Sequence, residues 1–181
     1  MSDWDHRILQ GIDAHRTGWA DGATRLVMYV GTTPWTLGVG GLVALALVVR
    51  LRAHREAVAG VAALVVAVTG SEILKAVFDR ARPPSIQALV YVDGHSFPST
   101  QASATAALTA AVLLTRTWSS RQVARRVATV LVALDVVVGV CMVYLGAHWT
   151  SDVLAGWVLG AIVGVAIGRF ARRSTTTPTP R

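Results

Sequence analysis

Five uninterrupted apolar blocks constrain this chain more than any other feature. They run roughly over residues 35–50, 58–77, 100–115, 123–144 and 153–170. A helix of about 20 mainly apolar residues spans the hydrocarbon of a bilayer. One such block can be a buried helix of a soluble protein. Five in 181 residues leave almost no amphipathic helix to cover them. The expected fold class is therefore all-α, a polytopic membrane helix bundle of five or six transmembrane helices. The composition agrees: 15% of residues are charged, against about a quarter in soluble domains, and the apolar content excludes a disordered chain. A single cysteine, Cys141, excludes an intrachain disulfide framework and a cysteine-based zinc site. It reads as a small hydrophobe inside a helix.

Residues 1–33 differ from the rest. They mix Asp3, Asp5, Arg7, Asp13, Arg16, Asp21 and Arg25 with Trp4, Ile8, Leu9, Ile12 and Trp19. Without an uninterrupted apolar core this is no signal peptide; it reads as an N-terminal interfacial amphipathic helix. The short run 26–30 offers the start of a sixth, kinked span. Residues 34–173 form the transmembrane domain, and the Thr/Pro tail 174–181 has nothing to bury and is expected to be disordered.

The net charge of +7 follows from topology and requires no nucleic acid. Arg50, Arg52, Arg55, Arg116, Arg121, Arg125, Arg126, Arg169, Arg172 and Arg173 fall on one side of the blocks, and only Lys75, Arg80 and Arg82 on the other. The positive-inside rule makes the first side cytoplasmic, with the C-terminus, and turns residues 78–98 and His148 outward from the plasma membrane. Trp35, Trp118 and Trp149 lie near block ends, as interface anchors do. Gly156, Gly160, Gly164 and Gly168 form one stripe of the last block, where another backbone can approach closely. The approaching helix is either one of this chain or that of a second copy, giving a homodimer. Asp135, in the middle of an apolar block, is expected to pair with another helix.

Three polar clusters gather on the outward side. Glu72, Lys75, Asp79 and Arg82, followed by two prolines, lie within roughly 80° of one another on a helix, and two cations on one face make an anion site. Ser99, in the run Ser96-Phe97-Pro98-Ser99-Thr100-Gln101, is placed as an N-cap, with the next backbone amides offered to an anion. His148 and Asp152, four apart, share a helix face about 40° apart. A carboxylate holding one imidazole nitrogen leaves the other free as nucleophile or base. Each cluster alone also reads blandly: snorkelling cations, a plain cap, an incidental histidine.

Together, Lys75-x6-Arg82-Pro83, then Pro98-Ser99, then His148-x3-Asp152 resemble the three-part signature of the type 2 phosphatidic acid phosphatase superfamily, over about residues 35–170. That family includes membrane lipid phosphatases and prenyl-diphosphate phosphatases. The resemblance implies that His148 attacks phosphorus to form a phosphohistidine and that Asp152 orients it. It also implies that Lys75, Arg82, Ser99 and Thr100 hold the phosphate oxygens, with no metal and no cofactor. The partners implied are the membrane and a lipid phosphate or diphosphate substrate.

Two positions depart from the signature. Gln101 stands where the family has its general-acid histidine, and glutamine cannot donate and retake a proton. Cys141-Met142 stand where the family has Ser-Arg, so a phosphate-binding arginine is missing. General acid catalysis is typically worth about 10²–10⁴-fold. A diphosphate, whose leaving group needs less help than an alkoxide, suits such a site better than a monoester. The leading expectation is metal-independent hydrolysis of an isoprenoid diphosphate or glycerolipid phosphate at an outward-facing site. Its alternative is a degenerate member that binds the headgroup without turnover, and behind both stands a phosphoryl or prenyl transferase using the same pocket. His95, six residues before Gln101, reads as a loop histidine.

Overall fold

The computed structural model describes residues 3–174 and is all-helical among them. Seven α-helices run in chain order: α1 (Asp3–Ala14), α2 (Gly18–Thr32), α3 (Pro34–Arg50), α4 (His54–Phe78), α5 (Thr100–Thr115), α6 (Arg121–Tyr144) and α7 (Thr150–Arg173). A 3-10 turn at Ser85–Gln87 interrupts the long connection between α4 and α5. The five apolar blocks are α3 to α7. Of these, α4, α6 and α7, at 25, 24 and 24 residues, are long and apolar enough to cross a membrane. The apolar stretches of α3 and α5 are shorter. The predicted tail lies almost wholly outside the described residues.

The packing is inverted relative to a soluble protein. The interior of α4, α5 and α7 is built from Ala63, Ala67, Ala107 and Ala111, with Val163 and Ile167 against them. Large apolar side chains such as Val61, Val65, Val130, Val158 and Ile162 point outward. Small residues inside let backbones approach, and branched residues outside meet lipid.

The glycine stripe of α7 supplies the closest approach. Cβ atoms at Gly160 and Gly164 would run into the carbonyl oxygens of Ser103 and Ala107 on α5, and one at Gly156 would stand 2.6 Å from the Ser99 carbonyl. Gly168 packs on Leu114. Of the two readings of Gly156, Gly160, Gly164 and Gly168, the stripe is thus filled by a helix of the same chain, and the homodimer seam is not supported. Asp135 is paired as expected, with Thr105 and Thr109 of α5.

The N-terminal section, read as one amphipathic segment, is two helices joined by a short turn. Leu9 and Asp5 are buried in α1. Arg16 donates to the carbonyls of Gln87 (2.7 Å) and Tyr144 (2.9 Å), and Tyr144 donates its hydroxyl proton to Asp21 (2.7 Å). These bonds tie the N-terminal section to the end of the bundle that carries His148. At the opposite end Arg55, Arg116, Arg121 and Arg172 gather around one groove.

Candidate active site

Three local structures bring the chemistry-bearing residues together. Helix α4 stops at Phe78, and Asp79 follows in the left-handed region (φ 45°), its amide bonded to the Lys75 carbonyl. This corrects the expectation that Glu72, Lys75, Asp79 and Arg82 share one helix face. Arg82 lies in the connection beyond the helix, and Asp79 turns away to meet His95 at 3.1 Å. Lys75 remains on the last turn, bonded to Glu72 at 3.0 Å, and Glu72 accepts from Thr100 at 2.7 Å.

Ser99 caps α5, accepting the Ala102 amide. It is fully buried and donates to the Met142 sulfur at 3.5 Å. Its side chain is not among those lining the cavity, so any contribution of Ser99 to an anion there runs through the start of the helix that it caps. The next two residues, Thr100 and Gln101, do line it, and the first amides of a helix are donors without intrahelical partners. Met142 is itself fully buried among Ala102, Val143 and Val153.

His148 precedes α7 rather than sitting on it. The turn before it is set by Gly146 at φ 70°, where a Cβ would stand 2.9 Å from the Ala88 Cα and the Gln87 carbonyl. Only glycine adopts this conformation freely, so the turn packs directly on the α4–α5 connection. Trp149 is the helix cap and is buried; its indole donates to the Ala81 carbonyl at 2.9 Å. It is thus no interface anchor, because its position fixes the loop that carries Arg82. Asp152 accepts the Trp149 amide at 2.9 Å and stands 3.5 Å from His148 Nδ1.

That geometry selects a tautomer. His148 Nδ1 lies 3.0 Å from the Ser96 carbonyl, which can only accept, so Nδ1 carries the proton and Nε2 the lone pair. Nε2 faces Arg82 at 3.2 Å. Burial pushes the imidazole below its ordinary 6.5, with Arg82 and Lys75 acting in the same direction and Asp152 opposing them. Arg82 is braced by the carbonyls of Ala147 (2.7 Å), Asp93 and Gly94 (3.1 Å each).

A cavity of about 550 Å³ opens over this point, walled by Lys75, Arg82, Thr100, Gln101 and His148. Helix α2 closes its side with Arg25, Met28, Tyr29 and Thr32. These are spaced i, i+3, i+4 and i+7, so they form one stripe. Sequence reading missed Arg25, whose signal was its place on that stripe.

It also missed a buried charge network beneath the cavity. Arg80 bonds Asp152 at 2.5 Å, Asp5 at 2.7 Å and the Ser151 hydroxyl at 2.6 Å. Asp5 accepts the Ser151 amide (3.0 Å) and hydroxyl (2.5 Å). Arg80, the first arginine of Lys75-x4-Arg80-x-Arg82, was visible in the sequence. The pairing with an acid 75 residues earlier was not.

A helical bundle that sets a histidine–aspartate pair, His148 and Asp152, beside Lys75 and Arg82 is the arrangement on which the class of the molecule is judged. Residues 56–175 match the sequence profile of the PAP2 superfamily, which covers more than half of the chain. The chain belongs to the PAP2 superfamily and is an integral membrane protein. Its fold is similar to that of a solved transmembrane PAP2-type phosphatidylglycerolphosphate phosphatase from Bacillus subtilis (TM-score 0.81, 20% identity, 96% of this chain and 87% of that one). It is also similar to LpxE from Aquifex aeolicus (TM-score 0.61, 19% identity, 92% and 93%). No curated protein sequence matches the chain.

Proposed function

We propose that the protein hydrolyses a lipid phosphate, preferring a diphosphate, through a phosphohistidine at an outward-facing site. The observation that carries this reading is His148, whose Nδ1 is held by Ser96 beside Asp152 and whose Nε2 accepts from Arg82 on the wall of a cavity also lined by Lys75. An entering phosphate would take over the Arg82 donor and free the Nε2 lone pair. In the first step a bond forms between Nε2 and the terminal phosphorus while the bridging P–O bond breaks. The leaving lipid monophosphate keeps the electron pair and needs no protonation, so Gln101 is tolerated. Water then attacks the phosphohistidine and releases inorganic phosphate. Lys75, Arg82 and the first amides of α5 offset the charge on the equatorial oxygens.

Arg25 supports a diphosphate in particular, adding a third cation to the wall of the cavity. The lipid chain would lie along Met28 and Tyr29, between α2 and the α4–α5 pair. The positive-inside arrangement of arginines supports placing this end outward. The test is phosphate release from a prenyl diphosphate and from its monophosphate, by the wild type and His148→Ala. Release from the diphosphate that vanishes in His148→Ala is expected, and faster release from the monophosphate would refute the preference. Gln101 and Met142 favour a second reading, binding of the headgroup without turnover. In that case neither lipid is hydrolysed, and Gln101→His does not restore hydrolysis.

A further inference from the structure

We propose that Asp5 is a positioning residue for His148, acting through Arg80 and Asp152, so that α1 is a working part of the site. The proposal rests on the phosphohistidine reading above. Asp5 is 1% exposed, and a buried carboxylate persists only when charges and donors satisfy it. Its partners include Arg80 and Ser151. Anchoring α1 to the bundle does not require a charge, because Leu9 is buried and His6 stacks edge-on against Trp149 at 4.7 Å.

What the charge does follows from arithmetic. Asp152 is the acid behind His148, yet Arg80 holds it at 2.5 Å. With Arg80 alone the pair is neutral. His148 then faces Arg82, Lys75 and, across the cavity, Arg25, opposed by Glu72 and Asp93; Glu72 is engaged by Lys75 and Thr100, and Asp93 lies on the far side of Arg82. Attack by Nε2 makes the ring positive, so the site needs a net negative neighbour at that moment. Asp5, Arg80 and Asp152 together carry −1. Asp5 thereby returns to Asp152 the charge that Arg80 would cancel. By fixing Arg80, which holds Asp152 Oδ1, it also aims the other carboxylate oxygen, Oδ2, at the Trp149 amide and His148.

The test follows the His148 ring in ¹⁵N-histidine-labelled protein in detergent, its signal assigned by loss in His148→Ala, together with turnover of a prenyl diphosphate. Asp5→Asn is expected to lower the titration midpoint by about one pH unit. It is expected to slow turnover about tenfold, less than removal of a direct donor. The double variant Asp5→Asn/Arg80→Met restores a net −1 and is expected to bring the midpoint back toward wild type; it also serves if the single variant does not fold. Leu9→Ala loosens the docking of α1 without changing charge and should lower the melting temperature alone. An unmoved midpoint in folded Asp5→Asn, or an equal shift in Leu9→Ala, would overturn the proposal. A wild type that turns over no lipid phosphate would sink the catalytic reading instead, and the titration still decides whether Asp5 couples to His148.

Discussion

The chemistry of the site turns on which nitrogen of His148 carries a proton, and that is settled by two oxygens contributed from elsewhere in the chain. The Ser96 carbonyl accepts a hydrogen bond from Nδ1–H, and Asp152 stands beside it. Burial pushes the imidazole below its ordinary 6.5, which favours the neutral ring that the proposed attack on phosphorus requires. The rate of phosphate release is expected to fall on the acid side with a midpoint below 6.5, measured as kcat/KM against pH. Stability follows the same sign. The unfolded chain binds the proton more readily, so the contribution of neutral His148 is present above its unfolded value and is lost as pH falls through the folded one. At position 101, Gln101→His restores an acid on the cavity wall. It is expected to raise monophosphate hydrolysis by about 10²-fold and diphosphate hydrolysis far less, as parallel assays would show. Arg25→Gln is expected to raise KM for the diphosphate about tenfold or more, in line with loss of a charged hydrogen bond, and to leave the monophosphate nearly unchanged.

Helices α5 and α7 are the frame on which these residues are aligned. At Gly156, Gly160 and Gly164 the nearest neighbours are backbone carbonyls, so there the contact has no flexible side chain that can yield. Gly160→Ala is expected to destabilise by about 3 kcal/mol, read from thermal melts in detergent, and to leave the molecular mass of the detergent-solubilised particle unchanged. Gly146→Ala strains the turn before His148 and forces it off the Ala88 backbone. A loss of about 2–3 kcal/mol is expected, with activity falling beyond what the stability loss explains. The helices themselves were legible in the sequence, since each apolar block became one helix. The end of α4 was legible only in outline. Two prolines announced a stop, yet the helix ends at Phe78, five residues before Pro83, with the left-handed Asp79 as its cap. Arg82 therefore approaches His148 from a loop rather than from a helix face.

Across the whole molecule the charges are separated by end. Arginines from α4, α7 and the α5–α6 connection meet around one groove, while the acids Asp5, Asp93 and Asp152 accompany the cations near His148. The orientation proposed from this asymmetry is open to labelling. In a Cys141→Ser background, Ile86→Cys, 92% exposed near the site, should react with an impermeant maleimide added outside intact cells. Thr117→Cys, at the arginine end, should react only after lysis, and the opposite pattern would invert the topology.

The sequence by itself determined the parts that depend on local pattern. Apolar block length specified membrane helices, and the spacing of Lys75, Arg82, His148 and Asp152 specified the family, because hydrophobicity and motif spacing are written along the chain. Only the tertiary structure decided the rest. It turned the glycine stripe inward onto α5, buried Ser99 and Trp149, and set Arg25 of α2 on the cavity wall. It joined Asp5 to Arg80 and Asp152 across more than 70 residues. The reason is physical: a close approach or a buried ion pair depends on which surfaces meet, and segments far apart in the chain meet only when the bundle has packed.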